Sequence, residues 1–174
     1  DRIGTRLVLG MAGEDAVKLS ALHVTNHDDR PRRLSLTTYV EWTLGVLREQ
    51  TQHRVRTRFD AERGAMLAAN PFDPQFAAWV AFSALSEPVT GHTGDRLEFL
   101  GRHGTAADPR ALRHESLGGR TGLGPDPCAA LRCSLDLAPG ETRTIVTLLG
   151  AADAEEGAGR LIDAYRDPAR AEAA

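Results

Sequence analysis

The chain has 174 residues, with 21 Lys and Arg against 24 Asp and Glu, a formal net charge of −3, a mass of 18.8 kDa and a pI of 6.1. That length fits one ordinary domain whose core needs no disulfide or metal staple, and a content of 41% hydrophobic and 26% charged residues excludes wholesale disorder. The charge balance is far from that of a domain built to neutralise phosphates, which argues against nucleic acid as a partner, and no run of about 18 apolar residues is present to span a bilayer.

The chain opens Asp1-Arg2-Ile3-Gly4 without an initiator Met or a signal pattern, so it reads as a soluble piece of something longer. Period-2 patterning dominates the first 150 residues. Residues Val17–Asn26 read as a strand whose alternation shifts near Ala21, as at a bulge. A polar turn at 27–31 ends on Pro31, and residues 34–42, Leu-Ser-Leu-Thr-Thr-Tyr-Val-Glu-Trp, form the clearest strand. Residues 54–59 alternate next and place Arg54, Arg56 and Arg58 on one face. That row is either a phosphate clamp or a solvated strand face that discourages aggregation. Residues 76–83 read as a further strand, which makes Trp79, like Trp42, a core anchor or a sugar-stacking platform.

Residues 87–94 and 101–126 are rich in Gly, Pro and His and read as linkers, with a short helical turn between them at 95–100. Residues 129–138 put Ala129, Leu131, Cys133, Leu135 and Leu137 on one face, and Pro139-Gly140-Glu141 turns the chain into a returning strand at 142–149. The pair predicts a hairpin. Beyond Gly150 the period changes, and Ala154, Ala158, Leu161, Ile162 and Tyr165 mark an amphipathic helix stopped at Asp167-Pro168. Strands followed by one helix predict a β-sandwich over 1–150 and the start of a helical linker over 151–174.

The chemistry-bearing residues form few patterns. Cys128 and Cys133 fall on opposite faces of one strand and read as reduced, buried small residues, in keeping with a cytosolic compartment. His23 and His27 straddle a strand end and a turn, not one helix face, and His92, His103 and His114 lie in the linkers with no spacing that dictates a metal site. No Gly-x-Ser-x-Gly, phosphate-binding glycine loop or Cys-x-x-Cys occurs. Glu41, Asp95, Glu98 and Asp126 are carboxylates of the kind that glycoside cleavage uses in pairs, but the sequence brings no two together.

A series of motifs in fixed order is more specific. Residues 34–45, containing Tyr39-Val40-Glu41-Trp42-Thr43-Leu44-Gly45, are followed by Ala68-Ala69-Asn70-Pro71-Phe72 and by Val80-Ala81-Phe82. Next come residues 93–102 (Thr-Gly-Asp-Arg-Leu-Glu-Phe-Leu-Gly-Arg), Asp126-Pro127-Cys128, Pro139-Gly140-Glu141 and Leu148-Leu149-Gly150. The series resembles the region of cyclic β-1,2-glucan synthases that is similar to cellobiose and chitobiose phosphorylases, the former glycosyltransferase family 36. The resemblance runs from about Val17 to Arg166 and implies a mainly β, galactose-mutarotase-like super-β-sandwich with a C-terminal linker helix.

The resemblance further implies that the (α/α)₆ barrel, joined in cis beyond the linker, carries the catalytic acid and uses inorganic phosphate as co-substrate. This chain would then hold no catalytic residue, cofactor or metal of its own. It implies a β-glucan oligosaccharide as the parent's substrate, a homodimer, and a sandwich loop reaching toward the active-site mouth. The matching stretch makes Asp95, Arg96 and Arg102 the carbohydrate-proximal residues, although Asp95 and Arg96 also suit a local helix cap and ion pair. A cytoplasmic-facing domain of a parent in the bacterial inner membrane completes the expectation. The alternative is a stand-alone mutarotase-like isomerase or a sugar-binding domain.

Overall fold

The computed structural model describes residues 2–173. Among the described residues nine strands run β1 (Ile3–Met11), β2 (Val17–Asn26), β3 (Arg32–Glu41), β4 (Arg56–Asp60), β5 (Ala65–Ala69), β6 (Val80–Leu85), β7 (Gly91–Asp95), β8 (Pro127–Leu137) and β9 (Thr142–Ala152). Short helices α1 (Arg48–Thr51) and α2 (Arg96–Leu100) and a 3₁₀ turn at Arg110–Arg113 interrupt them. Helices α3 (Glu155–Tyr165) and α4 (Pro168–Ala173) follow the last strand. The strands form a six-stranded sheet in the order β1-β2-β9-β6-β5-β4 and a three-stranded sheet in the order β3-β8-β7. Every pairing is antiparallel.

The larger sheet is buried on both faces over its centre. One face meets the smaller sheet through Val24, Met66, Leu85 and Ile145 against Leu131, Leu135 and Leu137. The other is covered by α3, whose Ala158 and Ile162 pack on Val17, Leu19, Phe82 and Leu148. Three-to-four spacing gives α3 a single apolar stripe, and that stripe is the face it buries.

This double covering corrects the reading of Val17–Asn26. Its register with β1 and β9 is continuous, with no bulge. Val17, Leu19 and Ala21 face the helices, whereas Leu22 and Val24 face the other sheet. Strict alternation is kept while the buried face changes along the strand.

The turn at Pro139-Gly140-Glu141 is likewise not a hairpin, because β8 and β9 belong to different sheets. It is an arch that carries the chain across the core. Gly140, at φ +75°, donates its backbone N–H to the Asn26 carbonyl at 2.9 Å. A turn sequence specifies reversal of the chain, not which sheet the returning strand joins.

Further local readings change. β1 and β5 carry no clean polar–apolar alternation: β1 is exposed over most of its length and β5 is nearly all buried. The strand expected at 76–83 starts only at Val80, so Phe76 and Trp79 stand in the preceding turns. Part of the first linker is instead strand β7. Arg54 precedes β4, and Arg58 pairs with Glu155 of α3, which makes that arginine a tie between sheet and helix.

Candidate functional site

The β3–β8 ladder sets Glu41 opposite Cys128 and so brings it near Asp126. Two arginines close the group. Arg48, in α1, places Nη1 2.8 Å from Glu41 Oε2 and bonds Asp126 through Nη2. Arg96, the first residue of α2, places Nε 2.9 Å from Glu41 Oε1 and Nη1 3.5 Å from Asp126 Oδ2. Two carboxylates and two guanidiniums thus alternate around a ring, and the Tyr39 hydroxyl donates to Glu41 Oε1 at 2.7 Å.

Burial alone would raise the Glu41 carboxyl. Hydrogen bonds from Tyr39 and Arg96 and the charge of Arg48 outweigh it and hold the group below its ordinary value. Burial, reinforced by the bond to Glu41, pushes the Tyr39 phenol well above its usual range. A carboxylate held ionised between two guanidiniums is poorly suited to donate a proton at neutral pH.

The residues expected near carbohydrate split between this ring and its surroundings. Asp95 is buried and is the N-cap of α2, accepting from Leu97 N at 2.9 Å, while Arg120 Nη1 donates to its second oxygen at 2.8 Å. Arg96 belongs to the ring, and Arg102 lies exposed in the turn after α2. Glu98 accepts from Thr93 Oγ1 at 2.8 Å and from the Gly118 N–H at 2.5 Å, which fastens the long 101–126 segment to β7 and α2. His92 stacks on Phe59 with ring centres 3.6 Å apart, and burial lowers its basicity despite the nearby Glu98 charge. Among the described residues no group of three or more His, Cys, Asp or Glu could hold a metal ion.

The second feature is an apolar cleft of about 230 Å³ between the loops at 43–45 and 70–79. Asn70 builds it, donating from Nδ2 to Leu44 O at 2.8 Å and accepting from Phe72 N at 3.2 Å. Asp73 Oδ1 then accepts from Gln75 N and Phe76 N at 2.9 and 2.8 Å. These bonds fix Phe76 and Trp79 edge to face, ring centres 5.9 Å apart, both partly exposed on the cleft. The two tryptophans therefore part company: Trp42 is a core anchor and Trp79 is a surface ring. Asn70-Pro71-Phe72, a motif in the sequence, was the signal for this cleft, but its role emerges only with the Leu44 loop beside it.

A family model described as glycosyl hydrolase 94, supersandwich domain, matches residues 1–168. The cyclic beta-(1,2)-glucan synthase NdvB of Rhizobium meliloti (strain 1021) is 34% identical over 137 residues, which are 78% of this chain and 5% of that protein. Solabiose phosphorylase of Paenibacillus borealis is 28% identical over 162 residues, 91% of this chain and 21% of that protein. Among solved structures, a polysaccharide lyase superposes with a TM-score of 0.51 at 12% identity, over 91% of this chain and 21% of that one, a likeness of fold alone. The chain thus spans only 5% and 21% of the two curated relatives. Its mainly β sandwich, its C-terminal helices and its ordered motifs agree with the family match, and the chain belongs to the glycosyl hydrolase 94 supersandwich domain family.

Proposed function

We propose that the chain is a non-catalytic β-sandwich module of a longer carbohydrate-active protein that synthesises or phosphorolyses β-glucan, and that it supports assembly and substrate access. The observation that carries this reading is the closed ring of Glu41, Arg48, Arg96 and Asp126. The two carboxylates that the fold brings together are each engaged by two guanidiniums, and Glu41 is held below its ordinary value, so it is not poised as a proton donor. In this proposal catalysis, with inorganic phosphate as co-substrate and no other cofactor, belongs to an (α/α)₆ barrel in cis. The parent would sit in a bacterial inner membrane with this module on the cytoplasmic side. Among the described residues no helix is long and apolar enough to cross a membrane.

Incubating the chain with β-1,2-gluco-oligosaccharides and phosphate is expected to release no glucose 1-phosphate, and reproducible release overturns the proposal. Polarimetry on α-glucose is expected to show equilibration at the buffer rate, and acceleration would assign a mutarotase activity instead.

The aromatic cleft favours a second reading, direct contact with a sugar ring. Trp79 presents an exposed indole beside Phe76, a surface on which the C–H face of a pyranose can stack. Titration with sophorose and longer oligomers is expected to change the Trp79 fluorescence and to lose the response in Trp79→Phe. A flat titration removes sugar contact and leaves the assembly role.

A further inference from the structure

Two of the ordered motifs build the apolar cleft from its two sides. Leu44 and Gly45 end the first motif, Asn70 is the centre of the second, and the Asn70 amide ties them together at the Leu44 carbonyl. Gly45 lies at φ +142°, and a Cβ there would come 2.5 Å from Thr51 Cγ2, so this loop is held close against α1. At about 230 Å³ the cleft is smaller than the roughly 300–1,000 Å³ of a drug-sized site. It has room for a single ring.

Among the described residues Asp73 is the one charged side chain lining this cleft. Its Oδ1 is occupied by the loop itself, accepting from Gln75 N and Phe76 N. Its Oδ2 has no hydrogen-bond or ion-pair partner among the described residues. Other turn carboxylates of the chain are neutralised: Asp28 is met by Arg32, Asp60 by Arg63 and Asp95 by Arg120. The cleft therefore combines an aromatic wall with one carboxylate oxygen that nothing in the loop uses.

We propose that the cleft selects a neutral pyranose whose hydroxyls are all equatorial, and that Asp73 Oδ2 is the acceptor that orients it. The proposal rests on the sugar-contact reading of the cleft and names the class of sugar it takes. Equatorial hydroxyls leave both faces of the ring as C–H surface, which suits a cleft with Leu44 on one side and Phe76 and Trp79 on the other. An axial hydroxyl would be pressed against one of these apolar walls without a partner.

The edge of such a ring carries its hydroxyls, and one that donates to Asp73 Oδ2 makes a charge-assisted bond, stronger than a neutral one. A uronate or a sugar phosphate would bring a second negative charge within a few ångströms of Asp73, with no cation in the lining to offset it. The same carboxylate thus attracts a neutral sugar and rejects an anionic one.

Three methyl glycosides test this, read by tryptophan fluorescence and by the amide shifts of Gln75 and Phe76. Methyl β-glucopyranoside is all-equatorial, methyl β-galactopyranoside has an axial hydroxyl at C4, and methyl β-glucuronide has a carboxylate at C6. The glucoside is expected to bind, and each of the other two at least ~tenfold more weakly. Asp73→Asn keeps an acceptor for the Gln75 and Phe76 amides but removes the charge, and thermal unfolding confirms that the variant is folded. It is expected to weaken the glucoside about fivefold and to bring the glucuronide level with it, a change that a purely structural role for Asp73 would not produce. No response to any of the three removes sugar contact itself and this selectivity with it. An equal response to all three, or a bias against the glucuronide that survives Asp73→Asn, leaves sugar contact standing and overturns the proposal.

Discussion

Asn26, at the end of β2, donates through Nδ2 to the carbonyl of Leu137, at the end of β8, at 3.2 Å across the gap between the two sheets. The same nitrogen reaches Ala138 O at 3.1 Å and Arg30 O at 2.9 Å, and its Oδ1 accepts from Asp28 N at 3.0 Å. Asn26 is fully buried. One amide thus satisfies both the arch at 138–141 and the turn that follows β2, the two connections at this end of the sandwich.

Asn26→Ala is therefore expected to destabilise the domain by about 2 kcal/mol, since it leaves buried carbonyls without a donor. In a chain of this size that corresponds to a fall in Tm of roughly 4–8 °C. Asn26→Asp should cost at least as much, because a carboxylate faces the same carbonyls and cannot donate to them. Differential scanning calorimetry of the two variants checks the order.

The Glu41 ring gives an acid limb with a defined sign. Its carboxyl lies below the ordinary value of 4.5 in the folded chain, with the Tyr39 and Arg96 hydrogen bonds and the Arg48 charge overcoming burial. Stability from such a depressed group is present above the unfolded value and is lost as pH falls through the folded one. Glu41 and Arg96 are each more than a third exposed, so a double-mutant cycle of Glu41→Gln and Arg96→Gln should read only about 0.5–1 kcal/mol at neutral pH. Glu41→Gln is expected to flatten the loss of stability below pH 4.5 in urea titrations repeated across pH.

His92 acts in the opposite direction to a salt-bridged histidine. Burial against Phe59 lowers its value from 6.5, and the Glu98 charge only partly offsets this. The fold therefore prefers the neutral ring, so its contribution is intact above 6.5 and is lost as pH falls through the lowered folded value. An NMR titration of the ring protons is expected to place the His92 midpoint below 6.5. A midpoint at or above that value removes the burial argument.

Much of the fold was legible where one face of a strand is wet. The start of β3 and the last five residues of β8 alternate, and α3 shows its stripe because one side of it meets water. β5 is buried nearly throughout and β1 is exposed nearly throughout, and neither condition leaves a period to read. The site was less legible because its members come together by pairing and not by spacing. Glu41 and Asp126 were both named as isolated carboxylates, and the β3–β8 register alone joins them. Arg48 gave no signal at all, since its role depends on a single turn of helix folding back over that ladder.

The glycine of the Leu148-Leu149-Gly150 motif has a spatial cause. Gly150 pairs with Phe82 on β6 and with Val17 on β2. A Cβ there would lie 2.5 Å from Phe82 Cζ and 2.7 Å from the Ala16 carbonyl oxygen. Phe82 is fully buried under α3, so its ring has no free space to swing into. Gly150→Ala is expected to cost about 1–3 kcal/mol through overpacking. Phe82→Leu relieves the ring contact but not the backbone one, so adding it to Gly150→Ala should recover part of the loss. Chemical denaturation of the two single variants and the double variant reads this as a negative interaction energy, the pair costing less than its singles combined. Strict additivity would show that the Ala16 carbonyl alone excludes a side chain at this position.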